Sequence, residues 1–287
     1  MPLSTSALFC CLDDFALAFE DWERHSLIPT GRMRRRAGKL SLGEMLFIMV
    51  LSHLSPFKTF KDFWLYGVEQ KYRGCFGDLP SYGRFVALTP RLFAPLCVLM
   101  QSLSGEETGI YVADSTKLTV CANPRIRRNR TFKGLAAQGR STMGWFFGFK
   151  LHVVINHKGE LIVVKITPGN TDDRVPLKGL VAGLKGKLLA DKGYISKDLC
   201  PRLWKQGLHL LTDIRKNMKN YLMPILYKLL LRKRFIVETL FDKLKSEMGL
   251  EHTRHRSPTN AFVHVLSCLA AYMLGKNKIK MKKLTYT

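Results

Sequence analysis

Hydrophobic positions in the first hundred residues recur at the three- and four-residue intervals of amphipathic helices. An apolar run from residue 42 to 50 follows Ser41, which has the spacing of a capping box with Glu44. Further helices are predicted between residues 58 and 102, with a tight turn at 77–80 before a serine-capped helix. This arrangement is compatible with a helix-turn-helix region and equally with a packed helical bundle, so both interpretations stay open.

After a polar, glycine-containing break at 102–109, the pattern changes to strands interleaved with helices. In order, we predict strands at 110–120, 147–155 and 160–167, a helix at 173–184, a strand at 187–190, a helix at 196–206, a strand at 208–214 and a long helix over about 229–248. Such an order indicates an α/β sheet covered on both sides by helices. An apolar helix at 259–274 is expected either in the core or at a dimer contact.

These patterns divide the chain into three parts. We predict an all-helical N-terminal region at 1–104, an α/β domain at 105–275 and a basic, flexible tail at 276–287. Hydrophobic residues make up 46% of the sequence, which is close to the globular average and sufficient for a core.

The chain is strongly basic. It has 46 Lys and Arg residues against 22 Asp and Glu residues, for a formal net charge of +24. Because such an excess makes a compact domain repel itself, it favours a polyanionic partner, and we predict nucleic acid. A membrane is disfavoured, since the longest apolar stretch, Met45–Leu51, is far shorter than the roughly 20 residues of a bilayer span.

The seven cysteines are scattered and form no Cys-x-x-Cys pair, and no secretory signal opens the sequence. We therefore expect free thiols in a reducing cytoplasm, with neither a disulfide framework nor a zinc ribbon.

Three acidic residues are the candidate chemical groups. Asp114 and Asp191 each follow a short apolar run, and Glu238 lies in an apolar stretch of the long helix. If the two strands are neighbours, their carboxylates emerge at the same end of the sheet. Each acid alone is more often a turn or surface residue, but their combination and order predict a site for divalent metal ions. Two Mg²⁺ ions about 3.5–4 Å apart, held by carboxylate oxygens, would stabilise both oxygens of a phosphodiester exchange.

Cations accompany these acids. Arg234 and Lys245 fall near the helix face of Glu238, so Arg234 is predicted to steady that carboxylate or contact a phosphate, and Lys245 to contact DNA backbone. A second group of cations follows the first strand and is predicted to clamp DNA backbone: Arg125, Arg127, Arg128, Arg130 and Lys133, with the aromatic Phe132 among them. Lys150 and His152 share one strand face, directed either toward the site or into the packed sheet.

The spacing of Arg234, Glu238 and Lys245 resembles the third-acid signature Tyr-x₂-Arg-x₃-Glu-x₆-Lys of the DDE transposases of bacterial insertion sequences, with Leu231 in the tyrosine position. Residues 114–121, 144–152, 167–174, 191–197 and 214–220 are most similar to the insertion-sequence family numbered nine-eight-two. The resemblance spans about residues 80 to 275.

The resemblance implies an RNase H-like catalytic domain with a mixed five-stranded sheet and flanking helices. It implies that Asp114, Asp191 and Glu238 are the catalytic and metal-binding residues, with Mg²⁺ or Mn²⁺ as the cofactor, in two copies. It also implies cleavage at element ends and strand transfer into target DNA. We expect double-stranded DNA as the partner, a homodimer or higher oligomer on that DNA, and a place at the nucleoid in the bacterial cytoplasm.

Three alternatives follow from the same residues. One is an RNase H-like or junction-resolving nuclease without strand transfer. Another is an inactivated or domesticated protein that binds DNA without catalysis, which the presence of all three acids disfavours. The third is a phosphohydrolase with Asp114 as nucleophile, which is disfavoured because Thr116 stands where a second aspartate is needed.

Overall fold

A computed structural model describes residues 4–26, 38–141, 144–213, 223–251 and 254–281. The chain forms two compact units. Unit 1 comprises Met1–Leu103, Met248–Leu250 and Arg256–Asn277, and unit 2 comprises Ser104–Glu247, Glu251–His255 and Lys278–Thr287. The helix predicted at 259–274 therefore groups with the N-terminal helices. The string at 214–220 lies outside the described residues.

The helices, in chain order, are α1 (Thr5–Ser26), α2 (Leu42–Leu54), α3 (Phe60–Asp62), α4 (Tyr82–Leu88), α5 (Phe93–Ser102), α6 (Arg174–Leu180), α7 (Leu199–Lys205), α8 (Ile225–Arg232), α9 (Ile236–Asp242) and α10 (Pro258–Leu274). The strands are β1 (Ile110–Cys121), β2 (Ala137–Ser141), β3 (Gly144–Asn156), β4 (Leu161–Pro168), β5 (Gly186–Leu189) and β6 (Leu208–Leu211). A π-helical segment, Phe63–Lys71, continues α3, and 3₁₀ turns occupy Arg73–Cys75 and Thr89–Leu92.

Unit 1 is a helical bundle whose second helix begins at the predicted capping box. Ser41 Oγ accepts a hydrogen bond from the Glu44 amide at 3.1 Å, and Glu44 Oε2 accepts one from the Ser41 amide at 2.6 Å. Two of the four amides at the helix start that lack a partner within the helix are thereby satisfied. Helix α10 packs against α2 and α5 within this unit, and its apolar residues are buried.

Among the described residues, one helical run, Tyr82–Ser102, has the length and the apolar composition that a membrane span requires. A 3₁₀ turn at Thr89–Leu92 interrupts it, and it includes Arg84 and Arg91. Its apolar face is packed, since Phe85, Leu92 and Leu96 are fully buried. The core helix of a soluble protein has the same properties, so the run gives only weak support for a membrane span.

Unit 2 is built on a mixed sheet in the order β2-β3-β1-β5-β6, with β4 paired to β3. Strands β2, β3, β1 and β4 are joined by antiparallel pairings, and β1, β5 and β6 run parallel. The predicted mixed α/β class is confirmed. Strand β2 is an addition to the predicted strands, so Asp191 follows the fifth strand along the chain rather than the fourth.

One hydrophobic core of unit 2 joins the sheet to α6 and α7. It includes Tyr111, Val154, Leu177, Leu188 and Leu203, which are all nearly inaccessible to solvent. The predicted long helix is a continuous helical run with two irregularities. A 3₁₀ turn, Lys233–Phe235, joins α8 to α9, and a π-helical turn, Lys243–Glu247, follows α9. Such irregular turns re-aim side chains, and here they lie on either side of Glu238.

The C-terminal tail is described as far as residue 281. The Met281 amide donates a 2.9 Å hydrogen bond to the His157 carbonyl at the β3–β4 turn. The backbone of Ile279 also lies against Gly159 in that turn. This part of the predicted tail therefore lies along the hairpin of unit 2.

Candidate active site

The register of two parallel strands places the first two acids side by side. Val112 of β1 lies opposite Leu189 of β5. Asp114 is two residues beyond Val112, and Asp191 is two residues beyond Leu189. Strand β5 ends at that level while β1 continues along β3, so Asp191 lies at the open end of the sheet beside Asp114.

Arg234 joins the second acid to the third. Its Nη1 lies 3.7 Å from Asp191 Oδ1, and its Nη2 lies 3.7 Å from Glu238 Oε1. The Arg234 side chain is 14% exposed, whereas the two carboxylates are about half exposed, at 45% and 48%. A largely buried guanidinium therefore lies between two carboxylates that face the solvent. The helix spacing predicted its position beside Glu238, and the contact with Asp191 is an addition.

Asp114 is a partly buried acid with a raised pKa. Its burial raises its pKa from the ordinary value to about 6, and the negative charges of Asp191 and Glu238 act in the same direction. The amide of Ser115, which donates to Asp114 Oδ1 at 2.8 Å, and the charge of Arg234 oppose the increase. All three carboxylates and Arg234 thus interact within one electrostatic site.

The donor chemistry of this site suits a hard divalent cation. Three carboxylates supply the oxygen ligands that Mg²⁺ and Mn²⁺ prefer, and a cation beside Asp114 would favour its charged form. In the described part of the chain, however, no three His, Cys, Asp or Glu side chains stand close enough together to share one ion. The Arg234 guanidinium lies against Asp191 and Glu238 instead, and its charge also acts on Asp114. The three residues therefore fit the ion by the chemistry of their oxygens, while Arg234 occupies the space between two of them.

A cavity of about 620 Å³ opens beside Asp114 and Asp191. Its polar and charged lining includes Gln138, Arg140, Lys150, Asn170, Asp172, Asp173, Arg174 and Tyr194, and Trp145 contributes an aromatic wall. The site therefore has room for a sizeable ligand next to two of the three acids.

Lys150 lines this cavity, and His152 lies two residues further along the same strand. Lys150 Nζ donates to the Thr171 carbonyl and to Asp173 Oδ1, each at 2.9 Å. His152 is 2% exposed, and its Nε2 lies 2.8 Å from Thr167 Oγ1. Burial lowers the pKa of His152 to about 4, so the imidazole is neutral at pH 7. These side chains hold the loop after β4 in place.

The predicted cation clamp lies on a 3₁₀ turn and the loop after it. Arg125, Arg127, Arg128, Arg130 and Lys133 are all exposed. Phe132 differs from them, because it is 1% exposed and packs edge-on against Phe149 at a centroid distance of 5.9 Å. The sequence interpretation of Phe132 as part of the clamp surface is wrong, since the ring anchors the loop to the sheet. The DNA contacts of the five cations stay a prediction.

Lys245 makes its described contacts inside unit 2. Its Nζ donates to the Lys117 carbonyl at 2.8 Å and lies 3.4 Å from Glu251 Oε2. Only 24% of its side chain is exposed. These contacts show that Lys245 joins the helical run that carries Glu238 to strand β1. They do not test the predicted contact of Lys245 with DNA backbone, which stays a prediction.

Two residues that line the cavity together with Asp114 were missed by the sequence interpretation. Tyr194 is 4% exposed and hydrogen-bonds Ser115, while burial raises the pKa of its phenol. Trp145 lines the cavity although it is 58% exposed. Both residues belong to segments noted for their resemblance, but nothing in their spacing along the chain showed that they line one cavity with Asp114.

Comparisons with known proteins agree with this geometry. A family model described as "Transposase DDE domain" matches residues 104–258, more than half of the 287-residue chain. No curated protein matches the sequence. Among solved structures, the chain is similar to piggyBac transposase in a cryo-EM structure of its synaptic complex with hairpin DNA. That match has a TM-score of 0.52 and 11% identity, and covers 95% of this chain and 76% of the other. At this identity, the likeness concerns the fold.

Proposed function

Because this chain belongs to the transposase DDE domain family, it is a DNA transposase, and we propose that Asp114, Asp191 and Glu238 carry its reaction. The observation that supports this assignment is their convergence. A strand, the end of a neighbouring strand and a helix bring the three carboxylates around Arg234, beside a cavity in the same unit.

We propose that these three carboxylates hold Mg²⁺ or Mn²⁺, in two copies. When bound, the ions supply charge stabilisation to the attacking and leaving oxygens of a phosphodiester. The protein's own groups position the ligands. The Ser115 amide fixes one oxygen of Asp114, Arg234 orients Asp191 and Glu238, and the buried Tyr194 hydrogen-bonds Ser115 next to Asp114 in the chain.

The proposed reaction has two exchanges at phosphorus. In the first, a water oxygen bonds to the phosphorus at the element end, and the 3′ oxygen leaves and takes up a proton. In the second, that 3′ hydroxyl loses its proton as its oxygen bonds to a phosphorus of the target strand, and the target's own 3′ oxygen leaves and takes up a proton. No protein nucleophile is required, so Ser115 and the cysteines have no covalent role.

DNA is the proposed partner, as element ends and as target. The formal charge of +24 supports this, as does the fold of piggyBac transposase, whose structure is a synaptic complex with hairpin DNA. We further propose that the chain acts as a homodimer or higher oligomer on DNA, at the nucleoid of a bacterial cytoplasm. The strings around the three acids support membership of the insertion-sequence family numbered nine-eight-two.

A cleavage assay tests the proposal. The substrate is a DNA fragment that carries this gene with its native flanks, incubated with the purified chain and Mg²⁺ or with EDTA. We expect cleavage only with the metal. Asp114→Asn, Asp191→Asn and Glu238→Gln should each abolish cleavage and retain DNA binding, whereas Asp198→Asn, at an exposed acid of unit 2, should retain both.

The same assay separates the alternatives. Cleaved ends that never join a second DNA would favour a nuclease without strand transfer. A wild-type chain that binds the fragment but leaves it intact would favour an inactivated DNA-binding protein. Undiminished activity in EDTA would refute the metal assignment.

A further inference from the structure

Trp145 is an unusual residue in its strand. It is the second residue of β3 and is 58% exposed, whereas Phe146 and Phe147 after it are buried. An exposed indole offers a large, flat apolar surface that a ligand can cover. The exposed ring lines the cavity that Asp114 and Asp191 also line.

Arg140 lies directly across the hairpin from this tryptophan. The two are Cα partners in the pairing of β2 with β3, so their side chains are on the same face. The Arg140 guanidinium carbon lies 5.9 Å from the centre of the Trp145 ring, within the range of a cation–π contact. Arg140 has no carboxylate partner within 4 Å among the residues that the structure describes.

The backbone of this pair is fixed from two sides. Asn123 Nδ2 donates a 2.9 Å hydrogen bond to the Trp145 carbonyl, and Ser141 Oγ donates to the Gly144 carbonyl at 3.1 Å. Asn123 is also the first residue of the turn that carries the predicted cation clamp. The tryptophan is therefore tied by its backbone to the turn of exposed arginines, and it lines the cavity that Asp114 and Asp191 also line.

We propose that Arg140 and Trp145 form a stacking platform for an unpaired nucleobase beside the acids. This inference rests on the proposed function, because it takes its ligand from the DNA strand held at those carboxylates. A nucleobase offers a flat π surface to the indole, and its phosphate offers a negative charge to Arg140. An aromatic ring among cations is the arrangement that binds single-stranded nucleic acid with little sequence preference.

A second exposed tryptophan in unit 2 shows what distinguishes Trp145. Trp204 is 64% exposed, but it stacks on His209 with ring centres 3.9 Å apart and does not line the cavity. One of its faces is therefore already covered by the protein. Trp204 is the matched control, because it has the same side chain and similar exposure away from the acids.

The test measures binding without cleavage, in EDTA, by fluorescence anisotropy. The two probes are a labelled oligothymidylate of about 12 nucleotides and a strand of the same length with abasic sites. Because the abasic strand keeps the phosphates and lacks the bases, the ratio of the two affinities isolates stacking. We expect the wild type to favour oligothymidylate by roughly tenfold.

Variants then show which side chains cause the preference for oligothymidylate over the abasic strand. Trp145→Ala should remove most of it without changing the salt dependence, because stacking releases no counterions. Trp145→Phe should retain much of it, and Trp204→Ala all of it. Arg140→Ala should weaken binding to both strands and make it less salt-dependent. Thermal unfolding of each variant checks that the fold is intact.

Two results would overturn the platform. One is a Trp145→Ala chain that discriminates between the strands as the wild type does. The other is a wild type that shows no discrimination. These outcomes are independent of the cleavage assay, since a chain that cleaves DNA but ignores Trp145 refutes the platform alone. A chain that stacks bases through Trp145 but never cleaves refutes the proposed function alone.

Discussion

The Lys245 ammonium donates a 2.8 Å hydrogen bond to the main-chain carbonyl of Lys117. Lys117 lies three residues after Asp114 on β1, and Lys245 lies in the helical turn after α9, which carries Glu238. Glu251 completes the brace, because it pairs with Lys245 at 3.4 Å and accepts the Thr119 amide of β1 at 2.8 Å. The first and third acids are thus held relative to each other by Lys245.

Removing the Lys245 ammonium should show whether this residue positions the acids or binds DNA. We expect Lys245→Met to lower kcat for cleavage more than tenfold with little change in DNA affinity, and to destabilise the fold by about 1–3 kcal/mol. Lys178→Met, at an exposed lysine of α6, should change neither. Steady-state kinetics and denaturant unfolding measure the two effects. A loss of affinity with a salt slope reduced by about one would instead indicate that Lys245 contacts a phosphate.

Arg234 should compete with a divalent cation for the same carboxylates. In Arg234→Gln, Asp191 and Glu238 lose the guanidinium that they share, and Asp114 loses the effect of its charge. The three carboxylates would then repel one another, so we expect a lower melting temperature in EDTA. Added Mg²⁺ should raise the melting temperature of this variant more than that of the wild type. Arg232→Gln, at an exposed arginine of α8, is the control and should respond as the wild type does. An equal or smaller Mg²⁺ response in Arg234→Gln would contradict the competition.

The sequence predicted those features of the site that depend on local pattern. Apolar runs that end at an acid identified the β1 and β5 neighbourhoods, and helical spacing placed Arg234 beside Glu238. The capping box at Ser41 was also readable, because all of its atoms lie within one turn. The pairing of β1 with β5 and the approach of the Glu238 helix to these strands are long-range contacts and had to be assumed.

The features that were missed depend on partners distant in sequence. Strand β2 contains no β-branched or aromatic residue, and it is a strand because it pairs with β3. Phe132 was assigned to the clamp surface because its neighbours are cations, but its side chain fills a gap against Phe149. The burial of an individual side chain follows from tertiary packing, which no local spacing encodes.

The predicted cation clamp can be tested through the salt dependence of DNA binding. Arg127 and Arg128 are exposed on one 3₁₀ turn. If both neutralise phosphates, the double variant Arg127→Ala/Arg128→Ala should weaken duplex DNA binding and reduce the slope of log affinity against log salt by about two. Phe132→Leu should leave that slope unchanged and lower stability instead, because the ring is a packing anchor. An unchanged slope in the double variant would remove these arginines from the interface.

His53 gives unit 1 a pH-dependent stability. Its Nδ1 lies 2.8 Å from the Met248 carbonyl and its Nε2 lies 3.1 Å from Ser267 Oγ, in a fully buried setting. Burial lowers the pKa of this imidazole from 6.5 to about 4. As the pH falls through 6.5, the unfolded chain takes up a proton that the folded chain does not.

The free energy of unfolding should therefore fall between about pH 6.5 and pH 4, by up to about 3 kcal/mol from this group. His53→Gln keeps a hydrogen-bonding side chain that does not titrate, so it should flatten this part of the profile. His25→Gln, at a side chain that is 74% exposed, should leave the profile as it is in the wild type. Urea unfolding at several pH values measures the profile, and an acid profile in His53→Gln identical to that of the wild type would show that His53 is not its source.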